Sequence, residues 1–299
     1  MPETFPRGRI CWHELLTTDP QAAIGFYKKS VGWGTQAWDQ DPSYVMWTVK
    51  GTPIGGLMVL PEAARKMGAP PSWLMHVAVP DVDATVRQAT SLDASTYVPP
   101  RDIPTVGRFA VLADPQGATF AVFTPATTTP GHDGPALPGE FSWHELATTD
   151  WRAAWSFYER LFGWTKLHAM DMGPAGTYQM FGRMGQTLGG VYNKPREMTA
   201  PPHWLCYVLV SSADGAVPLV TRLGGTVVNG PMEVPGGDRI AMCVDPQGAA
   251  FAVHARAARA PAAAGAKRPA RKVAKKRPPK KRPARKKPAA RRARPRRRR

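Results

Sequence analysis

From Arg9 to Leu16 apolar and polar residues alternate, the period-two pattern of a strand. The period then lengthens. Pro20–Val31 follows Asp19, an N-cap residue type, and places Ala23, Ile24, Tyr27 and Val31 at helical spacing. Ser43–Lys50 and Pro53–Leu60 read as a hairpin, and Trp73–Val79 as a further strand. Asp81–Leu92 is a second helical stretch, with Val82, Val86 and Ala89 directed inward. Three short strands follow, near Thr96–Val98, Arg108–Ala113 and Thr119–Phe123. Asp114-Pro115-Gln116-Gly117 joins the last two, with Asp, Pro and Gly at the positions a type I turn favours. The order predicted is βαβββ, twice over.

The whole pattern then recurs. Trp12-His13-Glu14-Leu15 returns as Trp143-His144-Glu145-Leu146, and Thr17-Thr18-Asp19 as Thr148-Thr149-Asp150, at an offset of 131. Phe26-Tyr27 and Gly32-Trp33 return as Phe157-Tyr158 and Gly163-Trp164. Gly55-Gly56 returns as Gly189-Gly190 at 134, which implies three inserted residues. Pro71, Trp73 and Leu74 match Pro202, Trp204 and Leu205, and Asp114–Gly117 matches Asp245–Gly248. The chain is therefore read as an α+β protein of two tandem copies, residues 7–125 and 139–255. A Thr/Pro/Gly-rich linker, 126–138, joins them, and a tail, 256–299, follows.

Charge separates the tail from the body. The 299 residues carry a formal net charge of +18, from 40 Lys and Arg against 22 Asp and Glu. From Arg256 onward there are 22 basic residues and no acidic one, so the body is left mildly acidic. Three cysteines, Cys11, Cys206 and Cys243, form no CxxC and no Cys/His motif, which argues against a disulfide framework and fits a reducing compartment. Neither a secretory leader nor a membrane-spanning apolar run is read from the sequence. The localisation expected is cytoplasmic, with association to the nucleoid through the tail.

The WHEL…TTD strand and helix start, Phe-Tyr followed by Gly-Trp, the helix start at Asp81-Val82-Asp83-Ala84 and the Asp-Pro-x-Gly turn together resemble the vicinal-oxygen-chelate superfamily of glyoxalase I, bleomycin-resistance proteins and extradiol dioxygenases. The resemblance covers nearly all of 7–255. It implies that each copy is one domain of two βαβββ modules curled into a cup. In enzymes of that family a divalent metal sits in the cup, on His, Gln or Glu side chains. The matching positions here are Trp12, Leu74 and Ala121 in the first copy and Trp143, Leu205 and Ala252 in the second. None offers an imidazole, carboxylate or thiolate. The expectation is thus no metal and no cofactor.

Other polar groups lie close by in sequence. Glu14 and His76 stand two residues beyond the vacant ligand positions, so strand parity points both into the cup, on facing strands. Glu145 and Tyr207 match them in the second copy, with His254 on its last strand. These groups suit a shifted metal site, acid–base catalysis by Glu14 and Glu145, or hydrogen bonding in a pocket or interface. Trp12, Trp47 and Trp143 suit an aromatic pocket wall or ordinary core. With Leu74, His76, Leu205, Tyr207 and His254 they make up the candidate ligand-binding set. His13 and His144 have the opposite parity and are assigned to core or boundary positions. Arg108 and Arg239, at matching strand starts, suit an anion site or a surface ion pair. No phosphate loop, nucleophile elbow or Ser/His/Asp arrangement is legible.

Residues 257–299 are almost entirely Ala, Pro, Lys and Arg and resemble the tails of linker histones and bacterial histone-H1-like proteins. Such a composition cannot offset the entropy of ordering, so a disordered arm is expected. Lys275, Lys276, Arg277, Lys280, Lys281, Arg282, Lys286, Lys287, Arg296 and Arg297 are the candidate nucleic-acid contacts. Lacking aromatic residues, the arm would read charge rather than bases. Three readings are compatible with the sequence. One is a metal-free small-ligand protein tethered to DNA or another polyanion. The second is a lyase- or isomerase-type enzyme using Glu14 and Glu145. The third is a nucleoid structural protein, monomeric as a pseudo-dimer or homo-oligomeric.

Overall fold

The structure is a computed structural model and describes residues 5–257. The candidate tail contacts from Lys275 to Arg297 lie outside the described residues. Two eight-stranded sheets make up the body, and Met1–Ala257 forms one compact unit. In the first sheet β1 (Ile10–Thr17), α1 (Pro20–Ser30), β2 (Gly34–Trp38), β3 (Asp41–Val49) and β4 (Thr52–Val59) form one module. A one-turn helix, α2 (Glu62–Lys66), leads to the second: β5 (Ser72–Ala78), α3 (Val82–Thr90), β6 (Ser95–Ile103), β7 (Gly107–Ala113) and β8 (Thr119–Pro125). The second sheet repeats this with β9 (Phe141–Thr148), α4 (Trp151–Phe162), β10 (Thr165–Asp171), β11 (Thr177–Arg183) and β12 (Gln186–Asn193). Its other module is β13 (His203–Leu209), α5 (Ala213–Arg222), β14 (Thr226–Glu233), β15 (Arg239–Val244) and β16 (Ala250–Ala255).

The strand order β2-β3-β4-β1-β5-β8-β7-β6 is repeated as β10-β11-β12-β9-β13-β16-β15-β14. The two copies are therefore tandem α+β domains of paired βαβββ modules. β1 runs parallel to β4 and antiparallel to β5, so the modules of one copy meet back to back along their first strands. The sequence reading lacked β2, whose Gly-Thr-Gln stretch carries no apolar alternation. The three inserted residues of the second copy surface as the turn Gly173–Ala175 between β10 and β11.

Local chemistry explains the helix limits. Asp19, Asp81 and Ser212 each cap a helix by accepting from a backbone N–H, as does Asp150 with two. α4 ends on Gly163 in the left-handed conformation that favours glycine, at φ 71°. The β3–β4 hairpin turns through Lys50 and Gly51, with φ 50° and 82°, both left-handed as two-residue hairpin turns require.

The cores are shared between copies, not confined to them. One core joins Ala23, Phe26 and Tyr27 of α1 and Trp33, Trp47 and Trp73 to Val220, Phe251 and Val253 of the last module. The other joins Met75, Phe120 and Val122 to Trp155, Phe157, Tyr158 and Phe162 of α4. The first helix of each copy is thus buried against the opposite copy. Edge-to-face aromatic pairs such as Phe26–Phe251 and Phe120–Phe162 mark the two seams.

Candidate functional site

Strand register decides which side chains share a face. Trp12 pairs with His76, Glu14 with Leu74 and Gly56, and His76 with Ala121, so these residues lie on one face of the first sheet. This is the cup face, turned away from the helices. β1 and β5 are adjacent strands, so Glu14 and His76 are diagonal neighbours and do not look at each other across the cup. In the second copy Trp143, Glu145, Leu205, Tyr207, Ala252 and Gly190 share the equivalent face.

Trp47 does not belong to the site. It is fully buried among Tyr27, Trp33 and Trp73 on the helix side. It pairs with Gly55, one register position from the cup-facing Gly56, and a bulge beside it between Trp47 and Thr48 shifts the strand. Its neighbour three residues back, Tyr44, reaches the site instead. The sequence reading missed Tyr44 and Tyr178, although they recur at the offset of 134 already marked by the glycine pair.

The same three-residue network is built twice. In the second cup Trp143 Nε1 donates to Tyr178 Oη at 2.8 Å, and Tyr178 Oη donates to Glu145 Oε2 at 2.9 Å. In the first, Trp12 Nε1 donates to Tyr44 Oη at 3.1 Å, and the Tyr44 hydroxyl lies close enough to Glu14 to favour its charged form. Glycine makes room for both: a Cβ on Gly56 or Gly190 would collide with the Tyr44 or Tyr178 ring. Burial pushes Glu145 up to about 7, against the hydrogen bond from Tyr178 and the nearby Tyr207 hydroxyl, both of which favour its charged form. Glu14 is also raised by burial, opposed by Tyr44 and by the positive charge of Arg101. Met232 stands where the repeat would place a counterpart of Arg101, so only the first cup carries this cation.

The matching residues His76 and Tyr207 share a further property. His76 Nδ1 and Tyr207 Oη are buried without a hydrogen-bond partner. Burial lowers His76 to about 4, so the ring is neutral at ordinary pH. Around Tyr207 the second cup is lined by Leu205, Ala252, Trp143, Ile240 and Met242, with Tyr192 stacked on Tyr178 at 5.8 Å.

The family's metal does not fit either cup. Trp12, Leu74 and Ala121 do lie together on the cup face, as do Trp143, Leu205 and Ala252, but an indole N–H only donates and the others are hydrocarbon. Among the described residues the cluster of three His, Cys or carboxylate donors lies elsewhere, at His13, His144 and Cys206. Nothing in the spacing of those residues forms a motif; the fold alone assembles them. His13 and His144 are buried on the helix side, as parity indicated.

A Ser/His/Asp array, illegible in the sequence, is also present. His254 Nδ1 lies 2.9 Å from Ser142 Oγ, and its Nε2 2.8 Å from Asp238 Oδ2. With the ring proton on Nε2, facing the carboxylate, Nδ1 accepts from the serine. In the first copy Cys11 and Phe123 occupy the same two places, and Cys11 Sγ donates to His76 O, the counterpart of Tyr207 O, which lies 3.4 Å from Ser142 Oγ. The two copies therefore place a small polar side chain beside the same carbonyl next to the strand bulge, and only the second adds the imidazole and carboxylate. Arg108 pairs with Asp83 and Asp102, and Arg239 with Asp214, so each guanidinium is engaged at the start of a helix of its own module.

A cavity of about 240 Å³ opens between the copies rather than in a cup. Its wall includes His13, His144, Cys11 and Ser142, and linker residues His132, Asp133 and Gly134. Asp133 bridges Arg9 and Arg183 there. No helix among the described residues is long and apolar enough to cross a membrane.

Comparison with known proteins agrees with this architecture. Residues 10–123 match the model of a glyoxalase-like domain, and residues 141–253 that of the glyoxalase/bleomycin resistance protein/dioxygenase superfamily. CFP32 of Mycobacterium tuberculosis, which bears a glyoxylase name, is 31% identical over 258 residues, covering 83% of this chain and 95% of its own. The anthracycline biosynthesis protein DnrV of Streptomyces peucetius is 30% identical over 277 residues, covering 87% and 98%. In fold, the chain is similar to the Mn(II)-bound glyoxalase from Novosphingobium aromaticivorans, with a TM-score of 0.56 at 14% identity, covering 85% of this chain and 83% of that one. Two repeated modules per copy, matched family models and relatives aligned almost end to end place this chain in the glyoxalase/bleomycin resistance protein/dioxygenase superfamily.

Proposed function

We propose that the protein binds a small, planar, oxygenated aromatic compound in its cups, foremost the second, without a metal at the cup floor. The observation that carries this reading is the pair of unpartnered buried atoms at matching positions, His76 Nδ1 and Tyr207 Oη. A buried polar group without a partner costs roughly 1–3 kcal/mol, and a ligand hydroxyl or carbonyl would recover it. Trp143, Tyr178, Tyr192 and Tyr207 supply flat apolar surface around that atom, and Glu145 supplies a carboxyl that can donate or accept. The anthracycline biosynthesis name of DnrV agrees with such a ligand class. Native mass spectrometry of the full chain mixed with cell extract tests the reading. A retained organic adduct of a few hundred daltons, lost with Tyr207→Phe, supports it; a bare chain under conditions that keep known complexes intact would sink it.

The same network suits an acid–base role for Glu145, with Glu14 as its counterpart, in a lyase or isomerase. A buried carboxyl with its value near 7 is suited to proton transfer at neutral pH. Turnover of the captured compound, abolished by Glu145→Gln with binding retained, would favour this reading over binding alone.

The tail is assigned to non-specific attachment to nucleic acid. Its 22 basic residues from Arg256 onward, without a single acid, support this through counterion release. We take the two functions together as a ligand-binding body held near a polyanion in the cytoplasm.

A further inference from the structure

His13 and His144 occupy the same position of the two copies, on the faces turned away from the cups, and they meet between the sheets. Their Nε2 atoms are 2.7 Å apart and both rings are buried. Cys206, fully buried, is the cross-strand neighbour of His144, and its sulfur lies within 4.8 Å of both imidazole donors. The repeat does not reproduce this thiol. Its counterpart is Met75, the cross-strand neighbour of His13, also fully buried. Two imidazoles, a thiol and a thioether-bearing residue thus converge where the copies meet.

We propose that His13, His144 and Cys206 form a buried site for one soft d¹⁰ metal ion, Cu(I) or Zn(II), that clamps the two copies together. The donor set is imidazole and thiolate with no carboxylate, which selects against the oxygen-loving Mg(II) and Mn(II). The His144 ring is already oriented for such a role. Its Nδ1 lies 3.1 Å from Leu188 O, so the ring proton sits there and the Nε2 lone pair faces the cluster. The His13 ring is fixed by stacking on Phe141, at 3.7 Å and 16°.

Without metal, His13 Nε2–H donates to His144 Nε2. On binding, this proton moves to Nδ1 of the same ring and Cys206 Sγ–H releases its own to solvent, so one proton leaves per ion bound. Two nitrogens on a tetrahedral ion at about 2.0 Å stand about 3.3 Å apart, so the rings separate by roughly half an ångström. The adjoining 240 Å³ cavity, lined by both histidines, gives the space for this movement and a route in. The site lies outside the cups, so it stands or falls independently of the ligand reading.

The test uses the full chain stripped with a chelator, then titrated separately with Zn(II), Cu(I) and Co(II). One ion per chain is expected, with a thiolate-to-cobalt charge-transfer band for Co(II). Cys206→Ser should remove that band and weaken binding at least 100-fold, whereas Glu145→Gln should change neither. Failure to bind one equivalent, cobalt bound without the band, or undiminished binding by folded Cys206→Ser would overturn the proposal. Should Cys206→Ser not fold, the cobalt band of the unaltered chain still decides whether a thiolate is a ligand.

Discussion

Tyr27 Oη donates to Asp245 Oδ2 at 3.0 Å, reaching from the first helix of one copy to the last turn of the other. Tyr158 and Asp114 repeat the bond in the opposite sense at the same length. The Phe-Tyr and Asp-Pro-Gln-Gly motifs that carry the family resemblance are therefore the two halves of a reciprocal clasp. Each tyrosine also accepts from a tryptophan indole, Trp73 or Trp204, at 2.9 and 3.0 Å.

Removing one hydroxyl leaves a buried carboxyl and a buried indole N–H without this partner. Tyr27→Phe and Tyr158→Phe should each cost about 1–3 kcal/mol in urea-unfolding experiments. The two bonds lie in separate cores, so the double variant should be close to additive. A negligible change in either would show that the clasp does not contribute.

The copies should not fold as independent monomers. A fragment ending in the linker would expose the face of α1 that packs on Phe251 and Val253, and the face of its own sheet that receives α4. Size-exclusion chromatography and circular dichroism of residues 1–132 should show an associated or unfolded species. Mixing that fragment with 133–299 should restore a compact complex.

Glu145 makes stability depend on pH in a definite sense. Its folded value is raised to about 7 from the ordinary 4.5 of a glutamate, so the unfolded chain loses this proton first as pH rises. Below about 4.5 both states are protonated and no penalty exists. Between there and about 7 the folded state holds the extra proton and loses stability, on the order of 3 kcal/mol in total at most. Glu145→Gln should remove that part of the pH dependence and raise the unfolding free energy at pH 8. An unchanged profile would mean that the carboxyl is not buried as described.

Gly190→Ala should expel Tyr178 from its place beside Glu145, because the new methyl group overlaps the ring. A loss of about 1–3 kcal/mol is expected, as for other overpacked sites. Gly185→Ala, on the same hairpin, meets no atom within 4 Å and costs only its left-handed φ of 79°. It serves as the backbone control in the same thermal-unfolding series.

DNA affinity should fall steeply with salt for the full chain and be nearly lost in a version ending at Ala257. Equal binding by both across a salt series would remove the tail from the account.

The modules, turns and vacant metal positions were legible because the repeat provides two readings of each. The limits of periodicity show elsewhere. It marks Phe26 and Tyr27 as buried but cannot say that the surface covering them belongs to the other copy. It could not place Trp47, because the face that residue takes follows from the pairing of its neighbour Met46 with the cup-facing Gly56, which only the sheet register shows. Tyr44 and Tyr178 were within reach, since their offset equals that of Gly56 and Gly190. His13, His144 and Cys206 were not, because only the meeting of two sheets brings them together.

Binding of a hydroxyanthraquinone to the chelator-treated full chain, followed by tryptophan fluorescence, tests the central claim most directly. The account predicts saturable binding without added metal, weakened at least tenfold by Tyr207→Phe. Absence of binding until a divalent metal is supplied, or equal affinity in Tyr207→Phe, would contradict it.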